Sequence, residues 1–188
     1  MNKLTPPNIA YLAHQASLEP IYHNPNFPPS LYYRFLKLLA EYKKPKLSVE
    51  LGLCGGGGSL HLAQPGYGLV VGIDIAEEYP DNIKYLQANY QNFIFVRGDS
   101  VRLAPTIHHN YGQIDILFID TTHTYDQTME EYEAYKPYLA AGAVVCLDDL
   151  YREGMDRAWA AMPDPKIRLD GLHVGGSATD GGFGVVLL

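Results

Sequence analysis

The sequence predicts an α/β domain built on a mostly parallel sheet with helices on both faces. Three observations lead there. From residue 46 onward, short continuous apolar runs alternate with amphipathic helical stretches, the pattern of strands buried on both sides. Five of these runs are closely followed by acids: Glu50, Asp74, Asp99, Asp120 and the pair Asp148-Asp149. A glycine run, Gly55 to Gly58, comes just after the first of them. Ligands of an open parallel sheet bind outside the carboxyl ends of its strands, so these acids are expected to line one rim. A rim of carboxylates repels phosphates. It suits a cationic ligand, ribose hydroxyls and a divalent metal.

Residues 1–29, rich in Pro, Asn, Tyr and His, read as an arm or partial lid, and residues 30–188 as one domain. Ser30 is a good N-cap, and Leu31, Phe35, Leu38 and Leu39 then recur at helical spacing as far as Tyr42. Lys43-Lys44-Pro45 closes that helix, because cations suit its C-terminus and proline cannot continue it. Strand one is Leu47–Leu51, followed by the glycines and a helix from about Ser59. The second strand covers 69–73, with a helix over 81–90. A third over 93–96 leads to a helical stretch over 101–109. Strand four is Ile114–Ile119, then a long helix over 126–139. Strand five covers 143–147, then a helix over 154–162. Segments 166–174 and 183–188 read as two closing strands.

Composition narrows the function. A chain of 188 residues, 47 % apolar and 19 % charged, is enough for one domain with a full core. A net charge of −7 without a Lys/Arg cluster argues against a nucleic-acid partner. Its apolar runs fall short of the roughly 18 residues of a membrane span, and residues 1–12 lack the pattern of a signal peptide. Cys54 and Cys146 make no disulfide framework. With both placed in core elements, a reduced, cytoplasmic protein is expected. Among its 15 tyrosines, Tyr11, Tyr22, Tyr32 and Tyr33 come early, where they could bury themselves in a homo-oligomer.

The stretch from Val49 to Ser59 carries the densest signal. Glycines after a first strand permit a tight turn and close approach of backbone to ligand. The dinucleotide frame G-x-G-x-x-G fails, because Gly55 and Gly57 are followed by Leu60, and Gly56 and Gly58 by His61. Glu50 would also repel a pyrophosphate, whereas it favours an ammonium or sulfonium. A flexible turn without a ligand is the alternative reading. The pattern Glu50-x-Gly52-x-Cys54-x-Gly56 resembles the acid-x-Gly-x-Gly-x-Gly motif of class I S-adenosylmethionine-dependent methyltransferases. The resemblance implies a cofactor site of Glu50, Gly52, Cys54, Gly55 and Gly56. Cys54 replaces the usual middle glycine, which suits a negative φ there. Asp74, with Ile75 beside it, then matches the acid that accepts ribose hydroxyls, and could otherwise be a turn or capping residue. Asp99, with Ser100, matches the position facing the adenine amino group, and could equally be a helix N-cap.

From Ile114 to Tyr125 the chain resembles small metal-dependent methyltransferases of the cephalosporin-hydroxylase and sugar or macrolide O-methyltransferase type. Asp120, His123 and Tyr125 are kept, while Thr121-Thr122 stand where those proteins have Gly-Asp. The resemblance implies a Rossmann-like methyltransferase fold of seven strands in the order 3-2-1-4-5-7-6, the last one antiparallel. It implies Mg²⁺ or another divalent cation at Asp120, Asp148 and Asp149, and methyl transfer to an oxygen of a small molecule. Asp120, His123 and Asp149 are then the catalytic candidates. His123 could serve as general base or hold the Asp120 loop. Three rivals stand beside this reading: a metal-free methyltransferase with another acceptor atom, a non-catalytic S-adenosylmethionine-binding or scaffold protein, and a nicotinamide-dependent dehydrogenase. Glu50 and the failed glycine frame argue against the last.

Overall fold

The structure, a computed structural model, describes residues 4–18, 27, 30–172 and 181–188. Tyr22, read above as part of the arm, and residues 173–174 of the closing strand expected over 166–174 lie outside them. Seven strands form one sheet: β1 (Leu47–Leu51), β2 (Leu69–Asp74), β3 (Phe93–Arg97), β4 (Ile114–Ile119), β5 (Leu139–Leu147), β6 (Lys166–Arg168) and β7 (Gly184–Leu187). Their order is β3-β2-β1-β4-β5-β7-β6, as the resemblance implied. Strands β1 to β5 run parallel, and β7 is antiparallel to both β5 and β6.

Period-two alternation sorts the strand residues onto two faces. On one face Ile116, Phe118, Val144, Cys146 and Val185 pack under α1 (Pro6–Leu18), α2 (Leu31–Lys43), α3 (Gly57–Ala63) and α4 (Pro80–Asn89). On the other, Val49, Leu51, Leu117, Ile119 and Val145 pack under α5 (Ser100–Tyr111), α6 (Tyr125–Tyr135) and α7 (Met155–Ala161). The longer helices each contribute a narrow stripe, whereas α3 is buried along its whole length. In α2 it is Phe35, Leu36, Leu39 and Ala40, and in α6 it is Thr128, Glu131, Tyr132 and Tyr135. Fully burying one such aliphatic or aromatic side chain stabilises by about 1.5–3 kcal/mol. The described part of the arm is α1, whose Ile9, Leu12 and Ala16 join the first layer. The Ala16 carbonyl also accepts from the Arg34 guanidinium at 3.1 Å.

Several boundaries differ from expectation for local reasons. Helix α6 ends at Tyr135, not 139, because Pro137 carries the chain into a 3-10 turn at Lys136–Tyr138. Strand β5 begins at Leu139, not 143. Strand β6 stops at Arg168, and Asp170–Leu172 winds into a 3-10 turn where a longer strand was expected. Helix α3 begins at Gly57, not Ser59. Ser30 occupies the N-cap of α2, but its side chain makes no capping bond. Cys54 is exposed, so only Cys146 is the core cysteine expected. Among the described residues no helix is long and apolar enough to cross a membrane.

Candidate functional site

From β1 the chain proceeds outward to β2 and β3, then returns to β4 on the other side of β1. The crossovers therefore diverge between β1 and β4, the switch point at which an open sheet leaves a crevice. A cleft of about 640 Å³ opens there. Its described lining includes Gly52, Cys54, Asp74, Ile75, Asp99, Ser100 and Asp120. Gly55 and Gly56 pack behind it instead. The Gly55 carbonyl accepts from Asn82 at 2.9 Å, and a Cβ on Gly56 would meet Leu86 at 2.8 Å. The described lining carries the acids Asp74, Glu78, Asp99, Asp120, Glu130 and Glu131 against one cation, Arg102.

The glycine loop turns on three left-handed residues: Gly52 at φ +84°, Cys54 at +44° and Gly56 at +81°. The negative φ expected at Cys54 is therefore corrected. This position adopts the conformation that glycine, usual there in the related motif, favours. The loop is stitched to β2, with the Gly52 and Leu53 amides donating to the Ile73 carbonyl at 2.9 and 3.0 Å. A left-handed non-glycine residue costs about 1–2 kcal/mol, and glycine's extra freedom in the unfolded chain returns about 0.5–1 kcal/mol of that. Cys54→Gly is therefore expected to stabilise the protein by about 0.5–1 kcal/mol in urea unfolding. A less stable variant would show that thiol packing outweighs backbone strain.

Asp74 ends β2 with both carboxylate oxygens engaged. Oδ2 accepts the Cys54 amide at 2.8 Å and Oδ1 the Ala76 amide at 3.0 Å. A carboxylate has about four acceptor positions, so capacity for hydroxyl donors remains. Ile75 beside it is 69 % exposed at the cleft, an apolar surface that a flat ring could cover. Asp99 is the N-cap of α5, its Oδ1 accepting the Arg102 amide at 3.2 Å while its side chain faces the cleft. Capping and ligand contact, the two alternatives for Asp99, are therefore compatible.

Glu131, absent from the candidates, stands fully buried at the cleft. It accepts from Ser100 Oγ at 2.6 Å, Thr121 Oγ1 at 2.8 Å and Gln127 Nε2 at 2.9 Å. Those bonds tie the start of α5 to the loop after β4. The sequence did hold a signal for it, a carboxylate on the apolar stripe of α6. Thr121, one of the two departures from the related motif, is thereby a tie to α6.

The remaining acids form a row across three neighbouring strands. Glu50 pairs in register with Phe118, and Phe118 with Cys146. Asp120 and Asp148 lie two residues further along, so alternation directs all three acids to the α2 and α3 side. Glu50 lies within β1, not past its end, and only 1 % of it is exposed. Burial raises its pKa to about 8, although the Ser59 hydroxyl and the Ser59 and Gly58 amides favour its ionised form. It belongs to the support beneath the glycine helix and is not among the described lining of the cleft. Asp120 is pushed well above the ordinary carboxylate range by burial, then by Asp148, Glu50 and Asp149.

Asp149 would point away from that row on an extended strand, but its φ of +53° turns the chain. It accepts from Arg152 Nε at 2.6 Å. His123, also left-handed at φ +53°, places Nε2 at 3.6 Å from both Asp120 Oδ1 and Asp149 Oδ2. Burial lowers its pKa and Arg152 adds to that, against Asp149 and Asp148, so the ring is neutral at neutral pH. Three of the four left-handed non-glycine residues described, Cys54, His123 and Asp149, thus stand at this site, where backbone strain commonly collects. Tyr32 and Tyr33, with ring centroids 4.4 Å apart and planes tilted by 57°, complete it from α2. Burial raises both phenol pKa values, with Asp120 and Asp148 adding to each. The sequence placed these tyrosines in the arm and its adjoining helix and gave no sign of their nearness to the acids. Asp120, Asp148 and Asp149 do meet on one rim. As placed, no three His, Cys, Asp or Glu side chains among the described residues could hold a metal ion.

A sheet in this order with an antiparallel seventh strand, and an acid-lined cleft at its switch point, define a Rossmann-like methyltransferase fold. The family model for a methyltransferase domain matches residues 49–150, more than half of the chain, and the chain belongs to that family. It is an enzyme, which answers the scaffold and dehydrogenase alternatives. No curated protein matches the chain. An O-methyltransferase from Bacillus cereus in complex with SAH (S-adenosylhomocysteine) is 21 % identical, with a TM-score of 0.69, over 97 % of this chain and 89 % of that one. The O-methyltransferase TomG from Streptomyces achromogenes, involved in tomaymycin synthesis and in complex with SAM (S-adenosylmethionine), is 19 % identical. Its TM-score is 0.66, over 97 % of this chain and 88 % of that one. MycE, a methyltransferase of the mycinamycin biosynthetic pathway in complex with Mg and SAH, is 19 % identical. Its TM-score is 0.51, over 80 % of this chain and 38 % of that one. At these identities the likeness is one of fold.

Proposed function

We propose that this protein transfers the methyl group of S-adenosylmethionine to an oxygen of a small molecule, assisted by a divalent cation. The observation that carries the reading is the acid-lined cleft at the β1/β4 switch point, with Asp74 holding the glycine loop at its mouth. Asp74 retains acceptor capacity for ribose hydroxyls. Ile75 offers an apolar face for an adenine ring, and Asp99 an acceptor for its amino group. The surplus of carboxylates favours a ligand bearing ammonium and sulfonium charge. The fold neighbours with SAM or SAH bound agree with this assignment.

Asp120, Asp148 and Asp149 offer the oxygen donors that a hard cation prefers, but as placed they do not form a three-ligand site, so these side chains would have to move to hold one. Asp120 and Asp148 already interact closely enough to raise the Asp120 pKa, a repulsion that a cation would relieve. A bound divalent ion would supply Lewis-acid activation of the acceptor hydroxyl. The chain's own contribution is positional. The loop after β4, tied by Thr121 to Glu131, sets Asp120 at the junction of cleft and rim, and alignment of acceptor and donor there supplies the rate. His123, held neutral, can take the acceptor proton through Nε2 or orient that hydroxyl. Tyr32 and Tyr33 shield the acids from water on the α2 side. A metal-free route would rest on His123 with Asp120 alone. The same reading assigns a small-molecule acceptor, no nucleic-acid or membrane partner, a cytoplasmic location and a possible homo-oligomer completed through the arm.

Calorimetry with S-adenosylhomocysteine tests the cofactor. Asp74→Ala is expected to weaken binding by about 1.5–3 kcal/mol, the scale of hydrogen bonds to a charged group, which is roughly 10–100-fold. Unchanged affinity would remove Asp74 from the cofactor site. For the metal, methyl transfer should fail in excess chelator and in Asp149→Ala while cofactor binding persists. Full activity in chelator would favour the metal-free route.

A further inference from the structure

We propose that Glu131 is a positioning residue that makes one end of the cofactor cleft selective for a base carrying an amino group. It does so by drawing its neighbours' hydrogens onto itself. This deepens the cofactor reading above and rests on it. Three of the side chains in the cleft wall, Ser100, Thr121 and Gln127, carry hydrogens that could otherwise meet a ligand. Ser100 Oγ stands 2.6 Å from Glu131 Oε1, Thr121 Oγ1 2.8 Å from Oε2, and Gln127 Nε2 2.9 Å from Oε1. An ionised carboxylate has no hydrogen to give, so each neighbour must donate to it. Bonds of this kind are short and strong because one partner is charged. Burial raises the Glu131 pKa, and the bonds from Ser100, Gln127 and Thr121 oppose that by favouring the ionised form. The other hydrogen of Gln127 Nε2 faces Ser100 Oγ at 3.5 Å.

What these three residues keep for the cleft is acceptors. A hydroxyl whose proton is committed elsewhere presents only lone pairs, and an amide held by its nitrogen presents only its oxygen. Gln127 Oε1 takes no hydrogen bond among the described residues. The Asp99 carboxylate, an acceptor as well, stands in the same wall. Arg102, the one cation of the described lining, is paired with it, Nε lying 3.5 Å from Oδ2. An adenine amino group, which donates, suits such a wall. A 6-oxo base would set its carbonyl oxygen against it. The backbone here is fixed independently of Glu131, since the Ser100 carbonyl accepts from the Tyr135 hydroxyl at 2.9 Å and Asp99 caps α5. Glu131 therefore decides where the hydrogens point.

The experiment measures by calorimetry the binding of S-adenosylhomocysteine and of S-inosylhomocysteine, in which an oxo group replaces the adenine amino group. Both are titrated into wild type, Glu131→Gln and Gln127→Leu, with melting temperatures recorded in parallel. Wild type is expected to prefer the adenosyl ligand at least about tenfold, because the oxo group finds no donor in this wall. Glutamine keeps the volume of Glu131 but brings N–H donors of its own, so a neighbour's hydrogen must turn toward the cleft. The preference should then fall at least about fivefold, chiefly through tighter binding of the inosyl ligand. Gln127→Leu should also lower it, through weaker binding of the adenosyl ligand. A role confined to holding the fold would lower the melting temperature and both affinities together and leave their ratio alone. An unchanged ratio in Glu131→Gln overturns the proposal. If that variant does not fold, Gln127→Leu decides in the same way. Equal binding of the two ligands by wild type overturns the selectivity and leaves the cofactor reading standing. Binding of neither overturns the cofactor reading, and the proposal with it.

Discussion

Replacing Gly52 by alanine is expected to weaken S-adenosylhomocysteine binding at least about 100-fold and to destabilise the fold by about 2–4 kcal/mol. Two penalties coincide at this residue. Its φ of +84° is one that side chains rarely adopt. An added Cβ would also run into the Asp120 carbonyl oxygen, lie 2.7 Å from the Asp120 carbonyl carbon and 2.9 Å from Thr121 Cα. These are backbone atoms of the segment that brings Asp120 to the cleft, so the clash cannot be relieved by a rotamer change. The β1 loop and the β4 loop must move apart, and the cleft lies between them. Gly66→Ala is the control, since Gly66 is left-handed at φ +71° but has nothing within 4 Å of an added Cβ. It should cost only about 0.5–1 kcal/mol, the left-handed penalty less glycine's greater freedom in the unfolded chain, and leave cofactor binding intact. Near-wild-type affinity and stability in Gly52→Ala would overturn the close-approach argument.

Glu50→Gln is expected to stabilise the ligand-free protein above pH 8, on the order of 3–5 kcal/mol. The folded protein holds the Glu50 proton up to about pH 8, whereas the unfolded chain releases it near the ordinary glutamate value of 4.5. Between those values the folded state binds more protons than the unfolded one. Stability therefore falls as pH rises through this window and levels off above it. Glutamine keeps the shape without the charge, so the variant should lose much of that slope. Asp120, raised in the same direction, would leave a residual one. Denaturant unfolding of both proteins between pH 5 and 9 measures the difference. Parallel stability curves would mean that Glu50 is ionised in the folded protein, held by Ser59 and Gly58.

Strand runs, helix stripes and the order of elements were legible because burial periodicity is local. Ile114–Ile119 could be read to the residue, since Ile116–Ile119 is an unbroken apolar run and Ile114 extends it past the one buried acid, Asp115. Pro137, which ends α6, was equally visible, although the helix was drawn past it. The closing strand over 166–174 failed because the pairing ends at Arg168. The Leu169 amide donates to the Phe183 carbonyl, and the Leu172 amide turns back to Leu169. Neither bond has a signature in composition.

What the sequence by itself determined is the class of site: acids at the carboxyl ends of parallel strands, with a glycine turn before them. Spacing along the chain is sufficient for that, because the parallel sheet brings the ends of its strands, and the acids that follow them, to one rim. What only the tertiary structure decided is the partner of each acid. Asp74 holds the Cys54 amide, Asp99 caps α5, Glu50 is buried beneath α3, and Asp149 is paired with Arg152. The reason is physical. A carboxylate's charge state and role follow from its burial and from the donors and charges within a few ångströms. Those neighbours come from Tyr32, Ser59 and Glu131, on helices whose approach no sequence spacing encodes.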